Sequence, residues 1–169
     1  MESTIVNKVA SSGLVTIDLE QVIPAVKWMP VDLAPLLFQG LVLREKDFRE
    51  WVKEHDWAMY TDAHVYIYCS ADAIVPQWAY MLVAGHLAGK AKWVAQANAS
   101  EASMLLAHQT VAQINADDYR DARVVVKGCS DALIHGHAYT LLAARLQPVV
   151  KSLMFGEPCS TVPLYKRAQ

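Results

Sequence analysis

One stretch of this chain is written nearly twice, and that near-duplication limits the folds open to it more than any other feature. Residues 65–87 read VYIYCSADAIVPQWAYMLVAGHL, and residues 124–146 read VVVKGCSDALIHGHAYTLLAARL. With one extra residue allowed in the first copy, Ala71, Cys69-Ser70 falls on Cys129-Ser130 and Asp72-Ala73 on Asp131-Ala132. Further along, Ala79-Tyr80 falls on Ala138-Tyr139, and Leu82, Ala84 and Leu87 fall on Leu141, Ala143 and Leu146. Each copy reads as a β-branched strand, a Cys-Ser turn and a helix. A third pair, Cys159-Ser160, follows another short apolar run, so all three cysteines of the chain share one local context.

The rest of the chain is read around these two units. Residues 3–10 suit a short helical stretch that Ser11-Ser12-Gly13 breaks, and Leu14-Val15-Thr16-Ile17 suits an edge strand. Pro24, Pro30 and Pro35 argue against long regular structure, so residues 22–37 are expected to wrap the surface of the core. Between 44 and 55, Phe48, Trp51, Val52 and His55 fall at i, i+3, i+4 and i+7 while Glu45 and Arg49 can pair, which predicts an amphipathic helix. In the first repeat, Pro76 suits the first helical position and Gly89 the end of the helix. A short strand follows at residues 93–95. Asn98 and Glu101 then have the spacing of a capping box for a helix reaching about residue 114. Residues 149–155 supply a last strand, and the tail from 156, with two prolines, is expected to be irregular.

The resulting alternation of strand and helix from residue 64 predicts an α/β fold: a mostly parallel sheet with helices on both faces, joined by right-handed crossovers, in a single domain spanning 1–169. Numbering the strands that start at 64, 93, 124 and 150 as one to four, the expected order is 2-1-3-4. Open parallel sheets bind ligands beyond the carboxyl ends of their strands. In that order Cys69, Cys129 and Cys159 would line one crevice. Three thiolates around one centre suit a soft metal, zinc or iron, or an iron–sulfur cluster. Asp72, Asp131, His135 and His137 are candidates for a fourth ligand or for orienting the first three. The loops carrying Ser70, Ser130 and Ser160 expose successive amides, a geometry that also stabilises anions and lowers thiol pKa.

Plainer roles compete with each of these. A cytosolic cysteine is commonly a small buried hydrophobe. The serines and aspartates have the chemistry of turn and cap residues, and neither Ser70 nor Ser130 sits in a G-x-S-x-G elbow. His135 and His137 flank Gly136 without a metal-motif spacing, and His86 and His108 read as ordinary helix side chains. Three functional classes therefore stay open. They are a metal- or cluster-binding accessory protein, an enzyme with an activated thiol nucleophile acting on a small anionic substrate, and a structural or interaction protein with packed cysteines.

Composition narrows the partners. A formal net charge of -2 with 19% charged residues supplies no field to gather nucleic acid or an anionic membrane. A polar N-terminus and the lack of a long apolar run lead us to expect a cytoplasmic protein with reduced thiols, and three cysteines cannot pair off within one chain. Five Trp and seven Tyr exceed the needs of one small core, which favours a homo-oligomer. P-loop, dinucleotide-binding and zinc-protease signatures are all missing from the sequence.

The blocks SGLVTIDLE, FQGLVLREKDFREWVKEHDW, CSADAIVPQWAYML, VVVKGCS and GEPCSTVPLYKR resemble an uncharacterised bacterial family, domain of unknown function 2480, over nearly the whole chain. The resemblance brings no established activity. It implies that Cys69, Cys129 and Cys159 are the cysteines shared with the family pattern, and, through an association with chromosomal neighbourhoods of iron–sulfur assembly genes, that iron–sulfur assembly proteins are partners. Residues 84–92 match the family pattern less closely, which leaves the cysteine blocks unaffected.

Overall fold

A computed structural model describes residues 13–127, 136–157 and 159–168. The expected helix at 3–10 lies outside the described residues, as do Cys129, Ser130, Asp131 and His135. The chain divides into two compact units, residues 25–103 and residues 1–24 with 104–169.

The first unit carries a three-stranded parallel sheet. β2 (Trp28–Asp32) and β6 (Trp93–Gln96) flank the central β5 (His64–Tyr68). A two-stranded hairpin, β3 (Leu37–Phe38) and β4 (Val42–Leu43), precedes helix α2 (Glu45–Glu54), and α3 (Gln77–Leu87) connects β5 to β6. Register places Val31, Val65 and Ile67 on one face of the sheet, where they join Phe48 and Val52 of α2 and Ala79, Val83 and Leu87 of α3 in one buried cluster. The spacing of the α3 residues at i, i+4 and i+8 is what lays a single stripe of the helix on the strands.

The second unit repeats this plan. β1 (Leu14–Asp18), followed by the single turn α1 (Leu19–Val22), pairs in parallel with β7 (Arg123–Lys127), which pairs with β8 (Ser152–Glu157). β9 (Ser160–Lys166) adds an antiparallel edge. The core joins Ile17, Val124, Val126 and Leu153 to Ala107 and Val111 of α4 (Ala99–Ala112) and to Ala138, Leu142 and Leu146 of α5 (Gly136–Leu146). Those α5 residues are the counterparts of Ala79, Val83 and Leu87, so the alignment of the two sequence copies is also an alignment of their buried stripes.

The correspondence extends beyond the copies. A 3-10 turn precedes each central strand, Trp57–Tyr60 and Ala116–Tyr119, and each is followed by an aspartate with positive φ, Asp62 at 59° and Asp121 at 58°. The amide of Asp62 donates to the carbonyl of Lys90 (3.0 Å) and that of Asp121 to Val149 (2.9 Å); Lys92 donates to Ala63 (2.9 Å) and Lys151 to Ala122 (2.8 Å). Strand, 3-10 turn, strand, helix and strand thus recur with matching backbone hydrogen bonds.

Three expectations are corrected. The four strands do not form one sheet in the order 2-1-3-4: the strands from 64 and 93 pair, and those from 123 and 152 pair, but β5 and β7 lie in separate sheets. The reason is that each central strand already has two partners, since β2 takes the flank of β5 and β1 the flank of β7 that a continuous sheet would have used. Residues 22–37 do not simply wrap the surface, because β2 belongs to the sheet. Pro30 is tolerated there since β2 is an edge strand, with no ladder to supply on its outer side. The tail is likewise a strand, with Pro163 on the edge strand β9.

Candidate functional site

The carboxyl ends of β5 and β6 hold the site. As β5 ends, Tyr68 and Cys69 emerge at its tip. The thiol of Cys69 is half-buried and donates to the carbonyl of Ala71 at 3.6 Å, a contact made within its own loop. Beside it opens a cleft of about 320 Å³ lined by Tyr68, Cys69, Tyr80, Gln96, Asn98 and Glu101 over the apolar Ile67 and Ala97. Tyr80 comes from α3, Gln96 from the end of β6, and Asn98 with Glu101 from the start of α4. Asn98 and Glu101 form the capping box that their spacing predicts. The Glu101 amide donates to Asn98 Oδ1 (3.0 Å), and the Asn98 amide donates to Glu101 Oε2 (2.8 Å). Gln96 is held by the side chain of Gln77, the first residue of α3.

Asp32, at the end of β2, anchors the Cys-Ser loop. The Ser70 amide donates to Asp32 Oδ1 (2.9 Å), the Ser70 hydroxyl to Oδ2 (2.6 Å), and the Ala34 amide to Oδ1 (2.9 Å). Burial alone would raise the carboxyl pKa, but these three donors outweigh it and hold Asp32 below the usual carboxylate range. The loop amide at Ser70 therefore faces the chain's own carboxylate. Burial raises the phenol pKa of Tyr80, with the negative charge potential of Cys69 and of Asp32 adding to it; burial, Asp32 and Tyr66 act on Tyr68 in the same direction. Both phenols remain protonated donors at neutral pH. Asp32 went unmarked in the sequence, yet a signal was there: Val31-Asp32-Leu33 echoes Ile17-Asp18-Leu19, and both leucines are fully buried.

The sequence candidates fall as follows. Cys69 lines the cleft and Ser70 binds Asp32, while Asp72 lies exposed on the same loop and is not among the described lining residues. Cys159 sits exposed in the turn between β8 and β9, with Ser160 opening β9. It follows a strand of the other sheet, so Cys69 and Cys159 do not stand on one continuous sheet. His137, on α5, stacks its ring on His108 of α4 at 5.8 Å. Among the described residues no group of three or more His, Cys, Asp or Glu side chains could hold a metal ion. Zinc, iron or a cluster therefore finds no ready-made ligand set there.

The equivalent end of the second unit differs in chemistry. Asp18 matches Asp32, but its Oδ2 accepts from Lys127 Nζ at 3.1 Å, and Lys127 stands where the first unit has Tyr68. The duplicated frame thus carries an acidic, phenolic tip in one unit and a tip with an ion pair in the other.

No helix among the described residues is long and apolar enough to cross a membrane. The model of a protein family described as "Protein of unknown function (DUF2480)" matches residues 3–167. No curated protein and no solved structure matches the chain.

Proposed function

The chain belongs to this DUF2480 family, and because membership carries no activity, we propose from the geometry that the protein binds a small organic cation in the cleft at the carboxyl ends of β5 and β6. The observation that carries the reading is the lining itself. It combines the Glu101 carboxylate, two phenol rings, the Asn98 amide and a thiol, with no lysine, arginine or histidine among the described lining residues. A carboxylate accepts several hydrogen bonds, so Glu101 has capacity beyond the Asn98 amide, and aromatic faces attract cations. The charge of Asp32 reaches the same phenols. A volume of about 320 Å³ suits a small molecule.

The test is an NMR titration with putrescine and ethanolamine, with acetate as the anionic control. Saturable binding of the amines, weakened about tenfold or more in Glu101→Gln, is the expected result, since glutamine keeps the capping box and removes only the charge. Equal binding of acetate, or an unchanged Glu101→Gln variant, ends the reading. This lining also argues against a thiol nucleophile acting on an anion. Activation of a thiol calls for an adjacent base or cation, whereas the Cys69 thiol donates its hydrogen bond to the backbone carbonyl of Ala71.

A second reading, a metal- or iron–sulfur-binding accessory protein using Cys69, Cys129 and Cys159, with Asp72, Asp131, His135 or His137 as a further ligand, is supported by the repeated Cys-Ser pair in the sequence. It brings iron–sulfur assembly proteins as partners. Metal analysis of protein purified without air decides it: stoichiometric iron or zinc lost in Cys129→Ser supports it, and a folded, metal-free protein removes it. Homo-oligomer formation is part of the same proposal, favoured by the exposed Phe38, Leu41 and Val42 around the β3–β4 hairpin.

A further inference from the structure

A second concave site lies in the other unit, at the amino-terminal rim of the β7–β8 pair, at the opposite end of β8 and β9 from the Cys159-Ser160 turn. Register places Arg123, Ser152 and Lys166 side by side on three adjacent strands, β7, β8 and β9. Residues in one lateral row share a face of the sheet, with strands about 4.8 Å apart, so the two cations flank the serine hydroxyl from either side. Lys151 immediately precedes Ser152. Its backbone is fixed at both ends, since its amide donates to Ala122 (2.8 Å) and its carbonyl accepts from the Arg167 amide (2.9 Å). Together these residues line a cleft of about 410 Å³ whose remaining wall is Met154, Pro163 and Tyr165.

The charge balance of this cleft is opposite to that of the molecule. The whole chain has a formal net charge of -2, yet the cleft gathers three cationic side chains with no acidic residue among its described lining. The nearby carboxylate of Asp121 is taken by Arg167. A dianion seated over Ser152 would meet Lys151 and Lys166 at once, and hydrogen bonds between cationic donors and phosphate oxygens are stronger than neutral ones. We propose that this cleft binds a small phosphate-bearing molecule. Its phosphate lies over Ser152 between Arg123, Lys151 and Lys166, and a short carbon skeleton lies against Met154 and Pro163. The concavity suits a small ligand, while a nucleic acid backbone needs an extended basic track.

The experiment is a calorimetric or NMR titration of the full chain at low ionic strength with inorganic phosphate, pyrophosphate and glycerol 3-phosphate, repeated on Lys151→Gln and Lys166→Gln after circular dichroism shows them folded. Saturable one-to-one binding is expected, weakened about tenfold or more by each substitution and weakened further by added salt. Tighter binding of glycerol 3-phosphate than of phosphate assigns the site to a phosphate ester; equal binding assigns it to free phosphate, which keeps the site and removes the apolar wall from the argument. Thermal melting gives an independent readout. Both lysine variants should lose the ligand-dependent rise in midpoint while equalling or exceeding the wild-type midpoint without ligand. Absence of saturable binding up to about 10 mM, weaker than a millimolar constant, or lysine variants that bind as the wild type does, overturns the proposal.

Discussion

Asp32 is the residue on which the Cys69 loop depends. One carboxylate receives two amides and a hydroxyl, each from a group that would otherwise need water. Asp32→Ala should lower unfolding stability by about 1–2 kcal/mol, the cost of leaving such donors without their charged acceptor at a partly exposed site. Asp32→Asn should cost less, because an amide oxygen still accepts from the two backbone groups. The sign of the pH effect follows from the depressed carboxyl pKa of the folded protein. Stability from this group is fully present above the unfolded value of about 3.9 and is lost as pH falls through the lower folded value. Urea titrations from neutral pH into the acid range should therefore show a shallower acid limb in Asp32→Ala than in the wild type.

At the scale of elements, the β8–β9 hairpin shows how one backbone contact decides a strand. Gly156 has φ of 123°, and a Cβ there would stand 2.6 Å from the Ser160 carbonyl oxygen. Both facts require glycine. Gly156→Ala should destabilise the protein by about 2–3 kcal/mol and raise amide exchange across β9, measured by hydrogen exchange, with smaller effects in the three-stranded sheet of the other unit. The expectation of an irregular tail failed at this point. Two prolines argue against a central strand but not against an edge one, and nothing local announces that residues 160–166 will find β8. The start of α4 is the opposite case, since Asn98 and Glu101 satisfy each other within four residues and the spacing alone specified the cap.

For the molecule as a whole, the pH response between neutrality and about pH 5 should come from histidine. His64 is 9% exposed, with its ring edge-on to Trp28 at 5.9 Å and stacked on Trp93 at 6.4 Å. Burial, with the charge of Lys92 adding to it, lowers its pKa, and burial lowers that of His55 against a smaller opposing pull from Asp56. The unfolded chain takes up protons near the ordinary value of 6.5 while the folded one resists, so stability falls as pH drops below that value. Denaturation midpoints should be lower at pH 5.5 than at 7.5. His64→Phe, which keeps an aromatic ring between the tryptophans, should flatten part of that slope; an unchanged slope would show that the ring protonates as easily folded as unfolded.

The amino-acid order by itself determined the helices with long periodic stripes, the capping box, the α/β class and the fact of a duplicated unit, because each of these is set by contacts between residues close in the chain. The partners of each central strand were decided only in three dimensions. β1 and β2 arrive from far upstream to take flanks that a single sheet would have needed, and the short Ile/Val-Asp-Leu echo that marks both does not say which central strand each one joins. That choice of edges placed Cys69 and Cys159 on different sheets, brought Asp32 to Ser70, and gathered Arg123, Lys151 and Lys166 around one cleft. Pairing between distant strands depends on which edges are already satisfied, a property of the assembled sheet that no local window of sequence contains.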